Sequence, residues 1–596
     1  MRGVLWPRPV PLIGDASSAW ERMREPGAWA LPPEERDAFH AVVSARRDVR
    51  RFRPDPVPDD ALVRVLSAAH MAPSVGHSQP WRFIVVCSPE TRERAALLAD
   101  RERLAQAAQL TSGSARRLVD LQLEGIREAP VGVVVCCDRR APAPGVLGRA
   151  TFPDADLWSC ACAIENLWLA ARADGLGVGW VTLFPPAELA GLLHLPAGVE
   201  TLGWLCLGWP DERPPAPGLE RAGWSRRLPL ETVVLDERWP DEATGKAPAP
   251  PPSHLRAPDQ QAVVGVRDDA DTLLTPPGSL GVLDRAVDRV LALGHRNVPT
   301  GGSLVLVGAD HPVCAHRISA YEHDVTRDVL SAAVAGEALG VVAAKTAGLR
   351  VVVVDAGVGD RPVTGALPAR PRRAQGDLVS ADGLSGQDVD DLIAAGERLG
   401  AEAAPGVLVA LGEVGVGNTT VAAALTAGLL ELDPAAVVGL GAGADTDMVD
   451  RKIAAVTAAL RRARHCYGDR LSDPRCALTA LGGPEFAVLT GVTLGAARGG
   501  AVVVLDGLAT SVAALVAVRL EPAVAAHLIA GQRSREAAHG TVLQHLGLEP
   551  LLDLRIRAGE GAGACLAAGL LRAGLHLRRT AARTSSASTL AAQQGF

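Results

Sequence analysis

The chain has 596 residues and a net charge of −7, with 48% hydrophobic and 21% charged residues, which excludes a disordered chain or a coiled coil. The mild acidity gives no basic bias toward nucleic acid or an anionic membrane. All 11 Trp lie in the first 239 residues and both Tyr lie beyond them, so at about 100–200 residues per domain we expect several domains of two different origins.

The first 35 residues have no apolar segment of the kind found in a signal peptide, and we expect an N-terminal extension there. Residues 36–241 are predicted to form one compact domain. Helical apolar spacing marks 41–49, 60–69 and 160–173, and buried strands are predicted at 81–87, 131–137, 179–183 and 201–208. Helices outnumber strands and do not alternate regularly with them.

A cluster of arginines, RRDVRRF at 46–52, follows the first predicted helix. Several guanidinium groups this close together can make bidentate contacts with a phosphate, although a solvated, charged helix end gives the same pattern. Downstream motifs favour the phosphate site, because APSVGHSQPWRF at 72–83 and GLGVGWVTL at 175–183 accompany the cluster. Together they resemble the nitroreductase-type flavoproteins. With LEGIREAP at 123–130, WLCLGW at 204–209 and GWSRRLPLE at 223–231, the domain more narrowly resembles the 5,6-dimethylbenzimidazole synthases.

This resemblance implies an α+β domain that holds FMN at the interface of a homodimer or higher homo-oligomer. The general family takes hydride from a nicotinamide. The synthase subfamily consumes reduced FMN and O₂, and fragments the isoalloxazine ring into the benzimidazole and erythrose 4-phosphate. No GxGxxG nicotinamide fingerprint is found in this half. We therefore expect a separate flavin reductase to supply reduced FMN, or a site that accepts reduced nicotinamide directly.

The resemblance also implies which residues form the flavin site. The phosphate and ribityl chain would contact Arg46, Arg47, Val49, Arg50 and Arg227, and the ring would contact Ser74 and a turn formed by Gly177, Val178 and Gly179. Asp48 is expected to carry the chemistry, because arginines around it should depress its pKa and keep it ionised while it orients or accepts a proton. A salt bridge within the cluster is the alternative. Thr182 stands where the subfamily usually has Ser, and it keeps the hydroxyl but adds a methyl group.

Two segments are predicted to lie outside compact domains. Residues 242–261 include KAPAPPPS at 246–253, and proline favours a semi-rigid, extended linker there. Residues 577–596 are rich in Ser, Thr and Gln toward the end, and we expect a disordered tail.

The remaining part, 262–576, has a different pattern. Short apolar runs at 303–307, 349–355, 406–410 and 501–505 are separated by Ala-rich helical stretches. This predicts a buried, mainly parallel sheet between two layers of helices. Charges interrupt the apolar stretch 501–520, so we do not expect it to span a membrane. The ten Cys form no CxxC pair, which favours a reduced, cytoplasmic protein.

A glycine-rich loop, GEVGVGNTT at 412–420, follows the third of these runs. It nearly matches GxxxxGK[ST], but Asn418 occupies the lysine position, and Asn cannot neutralise the charge of β- and γ-phosphates. Hydrolysis of a nucleoside triphosphate is therefore not expected. A monophosphate could still bind backbone N–H groups at a helix start, although the loop alone is equally compatible with a simple tight turn.

Further motifs occur in the order found in the nicotinate-nucleotide–dimethylbenzimidazole phosphoribosyltransferases, which residues 265–576 resemble. They are TPPGSLG at 275–281, GADHP at 308–312, ISAY at 318–321, DAGV at 355–358, GAGAD at 441–445, GGPE at 482–485, GQRS at 531–534 and EPLLDL at 549–554. The resemblance implies transfer of the ribose phosphate of nicotinate mononucleotide to 5,6-dimethylbenzimidazole, which gives α-ribazole phosphate and nicotinate.

The same family uses a Glu in a Gly-Glu-Gly segment as general base, here Glu560, and we expect burial to raise its pKa. A solvated turn Glu is the alternative. Tyr321 would face the aromatic base, since flat rings stack well, and Ser319 would also bind substrate. The phosphate would be held by Gly415, Gly417, Asn418, Thr419 and Thr420, and Lys452 would pair with it or be a surface lysine. Gln532, Pro312 and Asp328 depart from the family pattern. No metal is expected, because His311 and His539 lack a third ligand at suitable spacing.

The sequence thus favours a bifunctional enzyme whose first domain makes 5,6-dimethylbenzimidazole and whose second domain activates it. A second hypothesis keeps the transferase and makes the first domain a generic nicotinamide-dependent nitro- or flavin reductase. A third treats one half as a degenerate binding or scaffolding module, which intact Asp48 and Glu560 argue against.

Overall fold

The computed structural model describes residues 15, 17–109, 125–222, 224–239, 255, 257–295, 299, 301–439 and 446–584. The N-terminal unit comprises the described residues from Gly27 to Pro248, and the C-terminal unit comprises those up to Pro26 and from Ala249 onward. Helix α1 (Ala19–Arg24) therefore belongs to the C-terminal unit. Most of the predicted linker, at 242–254 and 256, and the end of the predicted tail, at 585–596, lie outside the described residues.

Strands of the N-terminal unit form one antiparallel sheet in the order β1-β2-β4-β3. They are β1 (Trp81–Val86), β2 (Val131–Asp138), β3 (Gly177–Val181) and β4 (Val199–Gly208). The helices are α2 (Pro33–Ala45), α3 (Asp59–His70), α4 (Pro89–Ala108), α5 (Ala155–Ala173), α6 (Pro186–Leu192), α7 (Gly218–Arg221) and α8 (Leu230–Val233), with 3-10 turns at Val75–His77 and Ala143–Gly145. All four predicted strands of this unit are confirmed, within about two residues at each end.

The continuous apolar run of β2 is explained by helices on both faces of the sheet. Side chains alternate between the two faces of a strand. Val133 and Val135 belong to the core formed with α3 and α5, whereas Val134 and Cys136 belong to the core formed with α4 and α6. A strand covered in this way needs apolar residues at every position.

The C-terminal unit contains a six-stranded sheet whose neighbouring strands are all parallel, in the order β10-β9-β8-β5-β6-β7. The strands are β5 (Gly301–Gly308), β6 (Arg350–Asp355), β7 (Leu367–Pro368), β8 (Val407–Val414), β9 (Val502–Leu505) and β10 (Leu528–Ala530). The predicted three-layer α/β/α architecture is confirmed, because separate buried cores lie on the two faces of this sheet. The short strands β7 and β10 were not predicted.

Helices of the C-terminal unit after α1 cover both faces of this sheet. They are α9 (Gln260–Asp271), α10 (Val282–Ala292), α11 (Asp324–Ala335), α12 (Leu339–Thr346), α13 (Gly386–Ala403), α14 (Asn418–Leu430), α15 (Pro434–Val437), α16 (Thr446–Tyr467), α17 (Pro474–Leu481), α18 (Pro484–Arg498), α19 (Leu508–Leu520), α20 (His539–His545) and α21 (Ala562–Thr580). Short 3-10 helices span Pro312–His316, Ala404–Gly406, Gly468–Ser472 and Pro522–His527.

Two predicted boundaries differ from the structure. The predicted linker ends at 261, but α9 already begins at Gln260. The predicted tail begins at 577, but α21 continues to Thr580. Arg578 is buried in that last turn, where its Nη2 lies 2.9 Å from carboxylate oxygens of both Asp284 and Asp288. These ion pairs extend the packed domain beyond the predicted boundary.

One stretch, Asp324–Thr346, is long and apolar enough by length and composition to cross a membrane. In the structure it consists of two helices, because α11 ends at Gly336, where φ is 84°. Buried residues of α12 belong to the same core as residues of α21 and the sheet. The stretch is therefore accounted for as two helices that cover the sheet.

Helices α13 and α18 are in unusually close backbone contact. Each carries two glycines four residues apart, Gly396 and Gly400 on α13 and Gly491 and Gly495 on α18, which places each pair on one helix face. A β carbon at Gly396 would lie 2.1 Å from a carbonyl oxygen of α18, and one at Gly491 would lie 2.1 Å from a carbonyl oxygen of α13. Only glycine permits this approach.

We expect Gly396→Ala to lower the free energy of unfolding by about 2 kcal/mol or more, since overpacking a close contact costs roughly 1–3 kcal/mol. Gly386→Ala, in the first turn of the same helix, is the matched control, because no atom lies within 4 Å of its new β carbon. Alanine's higher helix propensity should make that control neutral or slightly stabilising. Urea unfolding followed by circular dichroism measures the stability of both variants. Equal unfolding midpoints for Gly396→Ala and Gly386→Ala would contradict the close contact.

Candidate active sites

The arginine-rich segment 46–52 runs along the edge of strand β3. Helix α2 ends at Ala45, Asp48 forms a β-bridge with Val178, and the Val49 N–H donates to the Val178 carbonyl at 3.0 Å. Glycine makes this contact possible, because a β carbon at Gly179 would lie 2.3 Å from the Val49 carbonyl oxygen. Residues 177–179 therefore form a strand covered by Val49, and the predicted turn is wrong.

The protein holds two of the predicted phosphate-binding arginines in fixed positions. Arg46 lies over the Trp168 ring at 4.6 Å and pairs with Glu165 at 3.9 Å. Arg47 Nη1 donates to the carbonyl groups of Ser44 and Arg46, both at 2.7 Å. The Arg47 Nε is buried and makes no hydrogen bond to a described residue. Such a donor suits an anionic ligand such as the phosphate of FMN.

Asp48 is anchored on both carboxylate oxygens. One oxygen pairs with Arg50, and the other accepts a hydrogen bond from the Trp180 N–H at 3.2 Å. Surrounding protein atoms withdraw this carboxyl group from water and raise its pKa, an effect that exceeds the lowering by Arg50 and the Trp180 amide. The predicted depressed pKa is wrong, and the alternative salt bridge is present. About two-fifths of the side chain, 39%, is still exposed.

Other predicted residues of this site do not contact the cluster. The Ser74 hydroxyl oxygen accepts a hydrogen bond from the Gln79 N–H at 3.1 Å, and Thr182 and Arg227 are exposed. Among the described residues, no hydrogen bond or ion pair connects these three with Asp48 or its arginines. Their roles in flavin binding remain predictions.

In the C-terminal unit, polar residues gather at the carboxyl edge of the parallel sheet. Crevices at this edge are where ligands bind in open parallel sheets. The residues are Asp310 and His311 after β5, Asp355 at the end of β6, Glu413 in β8, Asp506 after β9 and Gln532 after β10. Topology thus brings together motifs that lie up to about 220 residues apart in the sequence.

The glycine loop leads from β8 into helix α14, as the phosphate-site hypothesis requires. Gly417 precedes α14 with φ of 92°, and a β carbon there would lie 2.5 Å from Cys314 Sγ. The loop is therefore folded tightly at a helix N-terminus, where N–H groups can receive an anion. The Asn418 amide, however, donates to Glu413, and the Thr420 hydroxyl is buried without a hydrogen-bond partner among the described residues.

Glu560 is held in a left-handed conformation, with φ of 63°, just before α21. Its carboxylate accepts a hydrogen bond from the Gly340 N–H at 3.1 Å, and its own N–H donates to the Glu413 carbonyl at 2.9 Å. A β carbon at Gly340 or Gly412 would lie within 2.7 Å of Glu560 backbone atoms. Strained backbone of this kind clusters at functional sites, and the side chain is not a freely solvated turn residue.

Glu413 is a site residue that the sequence analysis missed. Protein atoms crowd its carboxyl group, and burial raises its pKa to about 8, with Asp506, Glu485 and Glu560 adding repulsion. Burial also raises the pKa of Asp506 to about 7, although the Ala564 N–H and the Gln532 amide bind it. The sequence does show a Glu directly after the first glycine of the loop. The P-loop pattern GxxxxGK[ST] allows any residue at that position, so the comparison with it did not single out Glu413.

The remaining predicted residues differ in placement. Tyr321 is exposed on the loop after Ser319, whose hydroxyl accepts the Tyr321 N–H at 3.1 Å. Lys452 is buried, so the alternative of a surface lysine is wrong; burial lowers its pKa, against the influence of Glu536. Thr419 is half-buried in the first turn of α14. The predicted GAGAD motif at 441–445 lies outside the described residues.

Comparison with known proteins assigns both units. The phosphoribosyltransferase family matches residues 255–589 and the nitroreductase family matches residues 43–209. The chain belongs to the phosphoribosyltransferase family. Its N-terminal unit belongs to the nitroreductase family. Both resemblances seen in the sequence are confirmed.

Relatives divide in the same way. A 5,6-dimethylbenzimidazole synthase of Rhodospirillum rubrum is 43% identical over 203 residues, which is 34% of this chain and 95% of the relative. A nicotinate-nucleotide–dimethylbenzimidazole phosphoribosyltransferase of Thermus thermophilus is 38% identical over 321 residues, 53% of this chain and 94% of the relative. A solved structure of that Thermus thermophilus enzyme covers 55% of this chain and 98% of its own, with 35% identity and a TM-score of 0.51.

The raised pKa of Glu413 makes a pH-dependent contribution to stability. Its folded-state pKa of about 8 lies above the ordinary value of 4.5, so its contribution is fully present below 4.5 and is lost as the pH rises toward about 8. We expect Glu413→Gln to gain thermal stability relative to the wild type as the pH increases through this window. Scanning calorimetry at several pH values measures it. Glu402→Gln, at an exposed position of α13, is the control. If the stability difference between Glu413→Gln and the wild type is as independent of pH as that of the control, the raised pKa of Glu413 is contradicted.

Proposed function

We propose that this chain makes 5,6-dimethylbenzimidazole in its N-terminal unit and transfers phosphoribose to it in its C-terminal unit, in the biosynthesis of the lower ligand of cobalamin (vitamin B12). The shared compound carries the proposal. It is the product named for the relative of one unit and the acceptor named for the relatives of the other. The chain is thus a bifunctional enzyme with an oxidoreductase and a glycosyltransferase activity.

In the N-terminal unit, reduced FMN would be the substrate that supplies the carbon framework of the benzimidazole, with O₂ as the oxidant. Arg46, Arg47 and Arg50 would hold its phosphate. This role is supported by the buried Nε of Arg47, which has no hydrogen-bond partner in the described part of the chain. Asp48 would move a proton. Its raised pKa suits that role better than a depressed one, because proton transfer is most efficient when the pKa lies near the working pH.

We also propose that a separate cytoplasmic flavin reductase supplies the reduced FMN, and that the chain forms a homodimer or higher homo-oligomer. The missing nicotinamide fingerprint supports the first point. The second is supported by large apolar side chains that are exposed in the N-terminal unit. They include Trp29, Met71, Leu147 and Trp239, which are 97%, 83%, 86% and 77% exposed. Where such side chains form a contiguous patch, they mark a surface that other protein covers.

In the C-terminal unit, the glycine loop and the start of α14 would bind the phosphate of nicotinate mononucleotide. The benzimidazole nitrogen would form a bond to the ribose C1′ as the bond to nicotinate breaks, and Glu560 would accept the proton that the benzimidazole loses. Glu413 would stay protonated near neutral pH, since its pKa is about 8. This limits the negative charge beside Glu560 and leaves it able to act as base.

Incubation of the purified chain with reduced FMN, O₂ and nicotinate mononucleotide tests the proposal directly. We expect 5,6-dimethylbenzimidazole and α-ribazole 5′-phosphate, identified by chromatography with mass detection. Steady oxidation of reduced nicotinamide without any benzimidazole would contradict the synthase activity and favour a generic nitro- or flavin reductase in the N-terminal unit.

Substitutions should separate the two activities. Glu560→Gln should lower ribazole phosphate formation by about 10²–10⁴-fold, the range for loss of a general base, and leave benzimidazole formation intact. Asp48→Asn should lower benzimidazole formation and leave ribazole phosphate formation intact when benzimidazole is supplied for the transferase assay. Glu322→Gln, at an exposed position of the C-terminal unit, should leave both unchanged. Parallel loss of both activities in either site variant would contradict independent sites.

A further inference from the structure

A buried pair of titratable side chains, to which the proposed function gives no role, lies behind the glycine loop. His311 follows strand β5, and Glu485 is the second residue of helix α18. His311 Nε2 and Glu485 Oε1 are 2.8 Å apart, and the two side chains are only 2% and 0% exposed. Protein atoms cover both groups almost completely, so neither is open to a ligand in this conformation.

The imidazole ring of His311 is wedged between two segments. A β carbon at Gly415, in the glycine loop, would lie 3.1 Å from His311 Nε2. A β carbon at Gly483, just before α18, would lie 2.7 Å from His311 Cε1. Glycine at both positions therefore lets the loop and the start of α18 rest directly against the ring. Movement of the ring would displace the loop.

The pair is not explained by stability alone. The two atoms lie within ion-pairing distance, but they are not aligned as a hydrogen bond, and neither Glu485 oxygen has a hydrogen-bond partner among the described residues. Buried ion pairs of this kind are often no more stabilising than apolar residues of similar volume. Poorly satisfied polar groups that persist in a core point to a role other than packing.

We propose that His311, held in place by Glu485, is a positioning residue that fixes the glycine loop 415–417 in the conformation that receives the phosphate of the nucleotide substrate. The inference rests on the proposed phosphoribosyl transfer. In the proposed reaction the loop would bind the phosphate end of that substrate, and Glu560 would accept the proton. Disturbing the pair should therefore weaken nucleotide binding and leave the bond-forming step and the binding of the aromatic base nearly unchanged.

Steady-state kinetics of ribazole phosphate formation, with benzimidazole supplied, test the inference. His311→Ala should raise KM for nicotinate mononucleotide about tenfold or more, with kcat and KM for 5,6-dimethylbenzimidazole changed less than about threefold, the pattern for lost ground-state binding. His311→Gln and Glu485→Gln keep most of the volume of the side chains that they replace, so the loop should stay supported. They should therefore keep KM within about threefold of the wild type.

The double variant His311→Ala/Glu485→Ala should raise KM no further than the worse single variant, because the two residues act as one unit. His527→Ala is the matched control for loss of a buried histidine. His527 is 3% exposed, and its Nδ1 lies 2.8 Å from the Ala501 carbonyl at the opposite, amino-terminal edge of the sheet. It should lower the melting temperature without changing KM.

Two results would overturn the inference: a fall in kcat with unchanged KM in His311→Ala, or a KM shift in His527→Ala as large as that in His311→Ala. If His311→Ala does not fold, Glu485→Gln and His311→Gln decide, since a KM rise of tenfold in these conservative variants would also contradict simple positioning. Absence of ribazole phosphate with the wild-type chain would instead contradict the proposed function, so the two failures are distinguishable.

Discussion

Mutual repulsion of carboxylates is the constraint around which the C-terminal site is organised. Glu413, Glu485, Asp506 and Glu560 meet at the carboxyl edge of one parallel sheet, and like charges in a poorly hydrated space cannot all ionise. Glu413 meets this constraint by keeping its proton near neutral pH. Asp506 meets it through the N–H groups at the start of α21 and the Gln532 amide, and Glu485 Oε1 lies 2.8 Å from His311 Nε2. A protonated Glu413 limits the negative charge beside Glu560, the proposed base.

Both units share one structural feature, which is close backbone contact permitted by glycine. Gly177 and Gly179 let the arginine-rich segment lie on strand β3, and Gly340 and Gly412 let Glu560 approach strand β8. In each case the approach brings a carboxyl group, Asp48 or Glu560, to a backbone N–H of a neighbouring element. The sites are therefore rigid because main chain packs on main chain, which costs little side-chain entropy.

Joining the two units in one chain follows from their chemistry. The benzimidazole is a small, neutral molecule that diffuses away quickly once released, so a shared chain guarantees equal amounts of the two activities and raises the local concentration of the acceptor. Independent catalytic centres suffice for this arrangement. Asp48 and Glu560 lie in separately packed units, each with its own sheet and cores.

The sequence by itself determined the two origins, the longer strands, the parallel sheet and the motifs that carry both families, because apolar periodicity and glycine spacing are local properties of the chain. Tertiary structure alone decided the state of the charged groups. Asp48 has a raised rather than a depressed pKa because burial exceeds the attraction of Arg50. The raised pKa of Glu413 and the pairing of His311 with Glu485 could not be predicted, because Asp506, Glu560 and Glu485 lie tens to hundreds of residues away along the chain. Desolvation and charge–charge repulsion depend on distances in space, which residue spacing along the chain does not fix.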